Sequence, residues 1–279
     1  MKTSPVQNRS TAFTLLELLV VIGVVGVILT MFCTGLARSG PDVRAIVCLS
    51  SKRQLGQAWR MYCDDNTGNI VPNRDGGNVG KSPADAAWAG GWEDFNPGNT
   101  DNTNTEFLVR HDKYQWAAYL GPYVKTASVF KCPSDKTGVR IGTNSLPRVR
   151  SVSMNNLLGD LSRTWTSPSK YPLDKNYSAI IRPALKFVFL DEHENSINDG
   201  CFLFDPDTLY QLIDYPGSYH GNGCTFVFAD GHTEIHRWRD PRTSPLLLPN
   251  QLLPLNVNLP GNQDVLWLSK HAAGVMDYP

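Results

Sequence analysis

His232, Glu234 and His236 alternate along one short segment. A strand there would turn all three to one face, where imidazole and carboxylate could ligate zinc or another transition ion. The same alternation also describes a polar, exposed face opposite a core of Phe226, Phe228, Thr233 and Ile235, and that plainer reading is the expectation. A second run, Leu190 to Gly200, is acidic and rich in oxygen donors. Its calcium candidates are Asp191, Glu192, Asn198 and Asp199, but it lacks the spacing of an EF-hand loop, and a solvated turn is the simpler reading. The chain has no G-x-S-x-G, no H-E-x-x-H and no phosphate-cradling glycine loop, so a hydrolytic site has no motif to stand on and no catalytic residue is expected.

Of the six cysteines, Cys33 falls in an apolar segment, and none of the others shows the C-x-x-C spacing of a metal knuckle. Outside the cytoplasm thiols tend to pair. The expected disulfides are Cys48 with Cys132 and Cys201 with Cys224, leaving Cys63 odd. Spacing alone does not fix that connectivity. Trp88 and Trp92 interrupt a turn-rich loop. They could stack on a sugar, though packing against the domain is the simpler expectation.

The elements that must position these groups are legible in outline. Leu18 to Ala37 carries no charge, and as a helix rising 1.5 Å per residue it would span about 30 Å, a hydrocarbon core. Pro41 should interrupt the helix that leaves it, with Asp42 as the next cap. Ile46, Leu49, Leu55, Ala58, Trp59 and Tyr62 then mark an apolar stripe on a helix from Val43 to Tyr62. Residues 66–105 read as loop, residues 106–120 as a short helix and residues 129–133 as a short strand. The second half reads as strands at Arg150 to Met154, Lys186 to Leu190, Cys201 to Phe204 and Cys224 to Ala229. Asp230 and Gly231 predict a two-residue hairpin turn that pairs Ala229 with His232, Val227 with Glu234 and Thr225 with His236. From Asp240 onward the Pro- and Leu-rich chain should lie extended over the domain.

Charge is balanced, with 26 basic and 26 acidic side chains in 279 residues, so nothing points to a nucleic-acid partner. Glu17 is the exception to an otherwise apolar N-terminal segment. A carboxylate at the edge of a membrane helix needs a partner. If the chain were cut between Ala12 and Phe13, the new amine would lie one helical turn from Glu17. The amine of a neighbouring subunit could then pair with Glu17 and fix the axial register of packed helices.

The run Ala12, Phe13, Thr14, Leu15, Leu16, Glu17, with the apolar stretch behind it, resembles the cleavage and methylation signal of type IV prepilins and type II secretion pseudopilins. The family usually has Gly before the cut. Ala12 keeps a small residue there, so processing is expected to be preserved but slower. His220 with Asp230 and Gly231 resembles the H-x9-DG element of a large pilin-like family, for which no catalytic activity is implied. The helix from Cys48 to Tyr62 and the FKCPSD run over 130–135 are similar to other parts of that family.

The resemblance implies an α+β, pilin-like fold in which a long N-terminal transmembrane helix continues into a soluble domain with an antiparallel sheet. It divides the chain into a leader (1–12), a transmembrane helix (13–40), a helical spine (41–65) and an extracytoplasmic domain (66–279). It implies cleavage by a prepilin peptidase and N-methylation of Phe13. Partners would be other pilin or pseudopilin subunits and the assembly machinery of the inner membrane, where the chain would be single-pass. The product would be a type II secretion pseudopilus or a type IV pilus-like filament. A surface-displayed adhesin or glycan-binding module on the same anchor is the alternative, with a tethered metalloenzyme on the His232 face as the third reading.

Overall fold

Helix α2 (Gly40–Asp65) shows how this sequence builds its core. Leu55, Ala58, Trp59 and Cys63 recur at helical spacing and are buried, as the stripe predicts from Leu55 onward. One turn earlier the buried face is different. Ile46 is 64% exposed, and the chain instead buries Cys48 and Lys52 completely. A lysine on a core face requires a buried partner of opposite charge, and that partner is described below. Helix α1 (Leu15–Arg38) precedes α2, and Pro41 sits in the first turn of α2, where its missing N–H costs nothing.

A computed structural model describes residues 14–38, 40–159, 171, 173–208 and 210–276, with the side chains of 29–42 excepted. Ala12, Phe13, Cys33 and the cap expected at Asp42 therefore fall outside the described residues or side chains. The chain divides into two units between Val43 and Arg44. Among the described residues no helix is long and apolar enough to cross a membrane. The expected span from Leu18 to Ala37 is described with its side chains only as far as Ile28, and its large apolar side chains over that part are exposed.

The remaining elements are α3 (Glu106–Val109), α4 (Gly121–Val124), a hairpin of β1 (Gly138–Ile141) and β2 (Asn144–Pro147), then β3 (Val152–Asn155), β4 (Phe187–Asp191), β5 (Cys201–Phe202), β6 (Gln211–Leu212), β7 (Gly223–Phe228), β8 (Thr233–Arg237), β9 (Val257–Asn258) and α5 (Gln263–Ala273). The fold is α+β. Its main sheet runs β5-β3-β4-β7-β8 and is antiparallel except where β5 joins β3. The helix expected over 106–120 shrinks to α3, and the strand expected over 129–133 is a 3-10 turn at Ala127–Phe130.

Both faces of the central strands are covered. One face carries Met154, Phe189 and Val227 against Leu55, Trp59, Trp88 and Phe130. The other carries Phe187, Phe226 and Phe228 against Trp238, Val265 and Leu268. Gly56 lets α2 approach closely: a Cβ there would lie 2.6 Å from a Val227 methyl. The second face is closed by α5, which the extended-tail expectation missed. Asn262 caps that helix by accepting from the backbone N–H groups of Asp264 and Val265, and Gly274 ends it at φ +71°.

The 224–238 hairpin differs from expectation by one residue. Phe226 pairs with Glu234, Thr225 with Ile235 and Cys224 with His236. The loop is Ala229, Asp230 and Gly231. The Gly231 N–H donates to the Phe228 carbonyl, and Gly231 adopts φ +92°. A one-residue slip exchanges the faces of a strand. Glu234 and His236 therefore share a face with Phe226 and Cys224, whereas Ile235 lies with Thr225.

Candidate functional site

That register decides the fate of the histidine-rich strand. His232 stacks on Phe228 with ring centroids 4.2 Å apart, and His236 stacks on Trp267 at 3.7 Å. Burial lowers the His236 pKa to about 4, so the ring is neutral at physiological pH. On the strand face expected to bind metal or face water, His236 lies against α5, Glu234 is half-buried and His232 stays exposed beside Asp230.

Trp88 is fully buried. Its Nε1–H donates to the Gly200 carbonyl at 2.9 Å, and its ring stacks on Phe130. This ring is core, so the sugar-stacking pair loses one member, while Trp92 remains half-buried.

The acidic 191–200 run is buried rather than solvated, and its oxygens have partners already. Glu192 accepts from the hydroxyls of Ser153 and Ser196. Asp199 accepts from the backbone N–H groups of Gly76 and Cys201. The Asn198 side chain accepts from the Asp199 N–H. The carbonyls that a calcium ion would seek are held by two buried guanidinium groups. Arg148 donates to the carbonyls of Glu194 and Ile197, and Arg150 to those of Gly90, Gly91, Asn198 and Asp199. The calcium candidates are divided among separate partners, and the cations that reach the loop's carbonyls are arginines.

Burial raises the Glu194 pKa to about 7 and that of Asp199 to about 6, and pushes Glu192 up as well. A raised carboxyl pKa contributes stability that is complete below the ordinary value and lost as pH rises through the folded-state value. His193, His236 and His271 are shifted the other way, and the unfolded chain, still half-protonated at each of them at the ordinary value of 6.5, works against the carboxyls as pH rises. The Glu194 contribution is therefore isolated by difference. We expect the stability of chelator-treated wild type minus that of Glu194→Gln to fall by on the order of 1 kcal/mol between about pH 6 and 8. Denaturant unfolding of both proteins at the two pH values measures it, and a flat or rising difference would contradict it.

The cysteines are resolved differently from expectation. Cys48, Cys63, Cys132, Cys201 and Cys224 are all buried free thiols. Cys201 lies on β5 and Cys224 on β7, with β3 and β4 between them. Three interstrand steps of about 4.8 Å place them far beyond disulfide reach, so that pairing does not form. Cys48 and Cys132 are brought together, but with two further groups.

Cys48, Cys132, Asp191 and His220 converge so that one donor atom from each lies within 4.8 Å of every other, and all four residues are buried. Cys48 comes from α2, Cys132 from the loop after the 3-10 turn, Asp191 from the end of β4 and His220 from the segment entering β7. The Cys48 thiol donates to Asp191 Oδ2 at 3.0 Å, and His220 Nε2 lies 3.2 Å from Cys132 Sγ. Asp191 Oδ1 accepts from Lys52 Nζ at 2.7 Å and from the Ser151 hydroxyl at 3.0 Å. This is the partner that allows Lys52 into the core. Ser151 also accepts from the Cys132 N–H at 2.7 Å. The Ser134 N–H donates to Cys132 Sγ at 3.4 Å. The neighbouring Cys132, burial and the Asp191 charge all push the Cys48 thiol up.

His220 therefore lies in this cluster, whereas Asp230 and Gly231 stand at the opposite end of β7. There Asp230 Oδ1 accepts from the His232 backbone N–H at 3.0 Å. Sequence reasoning missed Lys52, Arg148, Arg150 and Glu93. A lysine one turn after Cys48 on an otherwise apolar helix face was the available signal. The convergence has no local spacing to read, since Cys48 and Asp191 are 143 residues apart.

At the N-terminus of α1, the Thr14 backbone N–H and hydroxyl each donate to Glu17 Oε2 at 2.9 Å. The Glu17 N–H donates to Thr14 Oγ1 at 3.3 Å. This is a capping box, in which cap and third-position side chains satisfy each other's backbone donors.

Residues 7–32, which include Ala12, Phe13 and Glu17, match the family described as the prokaryotic N-terminal methylation motif. No curated protein and no solved structure matches the chain. The chain thus carries a prepilin-type processing signal at the head of an α+β fold.

Proposed function

We propose that this chain is a pilin-like structural subunit without catalytic activity of its own. A prepilin peptidase cuts it between Ala12 and Phe13, and Phe13 is N-methylated. The mature chain is held in the inner membrane by its apolar N-terminal helix, with the domain from Arg44 onward outside the cytoplasm. It assembles with other pilin or pseudopilin subunits into a type II secretion pseudopilus or a type IV pilus-like filament. The observation that carries this reading is the methylation-motif match over residues 7–32. The large apolar side chains exposed from Leu15 to Ile28 support it, since such a surface seeks lipid or sister helices. The test is the N-terminus of the native protein by mass spectrometry. A chain beginning at N-methylated Phe13 is expected. An intact Met1, or a cut after the apolar segment, would overturn the reading.

A further inference from the structure

We propose that Cys48, Cys132, Asp191 and His220 form a closed structural zinc site that fastens α2 to the main sheet. Two thiolates, one imidazole and one carboxylate are a donor set suited to tetrahedral zinc. With Zn–S near 2.3 Å and Zn–N or Zn–O near 2.0–2.2 Å, ligand atoms at the corners of a tetrahedron stand roughly 3.3–3.8 Å apart. The four donor atoms here already lie within 4.8 Å of each other, two of the pairs at 3.0 and 3.2 Å. Small rotamer adjustments are enough to admit an ion.

The surroundings are those of a metal ligand shell. Asp191 Oδ1 is engaged by Lys52 and Ser151, and Oδ2 faces the cluster, its contact there being the Cys48 thiol proton that a metal would displace. Such outer contacts orient a coordinating carboxylate. Ser134 donates its N–H to the Cys132 sulfur. Charge also balances in both states. With both thiols protonated, Lys52 and Asp191 form a neutral buried pair. Zinc entering with loss of two thiol protons leaves two thiolates, one carboxylate, one ammonium and one dication, again neutral. The buried site can exchange two protons for one zinc ion without acquiring net charge.

A Cys48–Cys132 disulfide is the rival use of the same atoms. It would remove the thiol proton that Asp191 Oδ2 accepts, leaving a buried carboxylate oxygen short of a donor. Zinc satisfies all four groups at once. It also joins segments far apart in the chain, Cys48 and Asp191 being 143 positions apart and Cys132 and His220 88 apart.

The experiment uses the full chain, purified in detergent under reducing conditions, stripped with chelator and then supplied with zinc or cobalt alone. One equivalent of zinc by elemental analysis is expected. Cys132→Ser and His220→Ala should lower retention at least tenfold, and Cys201→Ser, a buried thiol outside the cluster, should not. Because ligand variants can fail to fold, the wild-type cobalt spectrum supplies a second reading. Tetrahedral d–d bands with thiolate-to-cobalt charge transfer are expected. No stoichiometric zinc, or a cobalt spectrum without thiolate charge transfer, overturns the proposal. So does native protein two hydrogens lighter with a peptide linking Cys48 to Cys132.

Discussion

Replacing Arg150 with alanine should cost about 3–5 kcal/mol of folding free energy, the range for removing one partner of a buried ion pair. The Arg150 guanidinium donates to the Gly90 and Gly91 carbonyls at 3.0 and 2.9 Å and reaches those of Asn198 and Asp199. Its Nε lies 3.5 Å from Glu93, whose carboxylate is fully buried and whose other ion-pair partner among the described residues is Arg148 at 3.8 Å. One side chain thus binds the 90–93 loop to the 198–199 loop and neutralises an acid that cannot reach water. Several carbonyls would lose a donor at once, and each unsatisfied group is worth about 1–3 kcal/mol before relaxation. For a domain of this size, the loss corresponds to a fall in melting temperature of roughly 6–20 °C.

Glu93 limits the damage in a way that can be measured. Burial already pushes its pKa up against the pull of Arg150 and Arg148. Without Arg150 the acid would take up a proton at a higher pH, so the variant should recover part of its deficit between pH 8 and pH 5. Arg150→Lys should restore the charge but not the planar fork, and so rescue only partly. Arg150→Met with Glu93→Gln removes both charges together and should be less damaging than Arg150→Ala alone. Thermal melts of the full chain measure all three. A loss below 1 kcal/mol for Arg150→Ala would show that the two loops are held by something else.

The periodic parts of this fold could be read from sequence, and the non-local parts could not. The stripe from Leu55 to Trp59 and the main strands follow from side-chain alternation that the core then enforces. The hairpin at Asp230 was legible as a turn but not in its register. Asp-Gly fits either a two-residue turn or a three-residue loop ending in a left-handed glycine, and the structure takes the second. That single residue moves His236 from the expected polar face onto Trp267. Burial of Lys52, Arg148 and Arg150 runs against the rule that charge normally stays in water. Each is buried against an acid or carbonyl supplied by a distant segment, which periodicity cannot show. The converging thiols were glimpsed as a pair, but Asp191 and His220 carried no local signal tying them to Cys48 and Cys132.

Glu17→Gln should reduce incorporation into filaments by about 10–100-fold while leaving α1 capped. Glu17 offers two separable properties. Its oxygen completes the capping box with Thr14, accepting from that residue's N–H and hydroxyl. Glutamine keeps such an oxygen and serves equally at this position of a capping box. Its charge is what the proposed register contact uses, pairing with the Phe13 amine of a neighbouring subunit. A hydrogen bond to a charged group is worth about 1.5–3 kcal/mol, or roughly one to two orders of magnitude in an equilibrium. Thr14→Ala is the converse: it removes the side-chain cap, at about 0.5–2 kcal/mol of local helix stability, and leaves the carboxylate. If Glu17 acts through charge, Thr14→Ala incorporates near the wild-type level and Glu17→Gln does not. If it acts only as a cap, the order reverses. The measurement is the ratio of mature chain in sheared filaments to mature chain left in the cell membrane, in cells with their own peptidase and assembly machinery. Processing of each variant is checked by N-terminal mass, so that a failure to cut is not mistaken for a failure to assemble. Glu17→Ala loses both properties and should do no better than Glu17→Gln. A Glu17→Gln chain that enters filaments normally would leave the carboxylate with helix capping as its role and remove the electrostatic basis for the stagger.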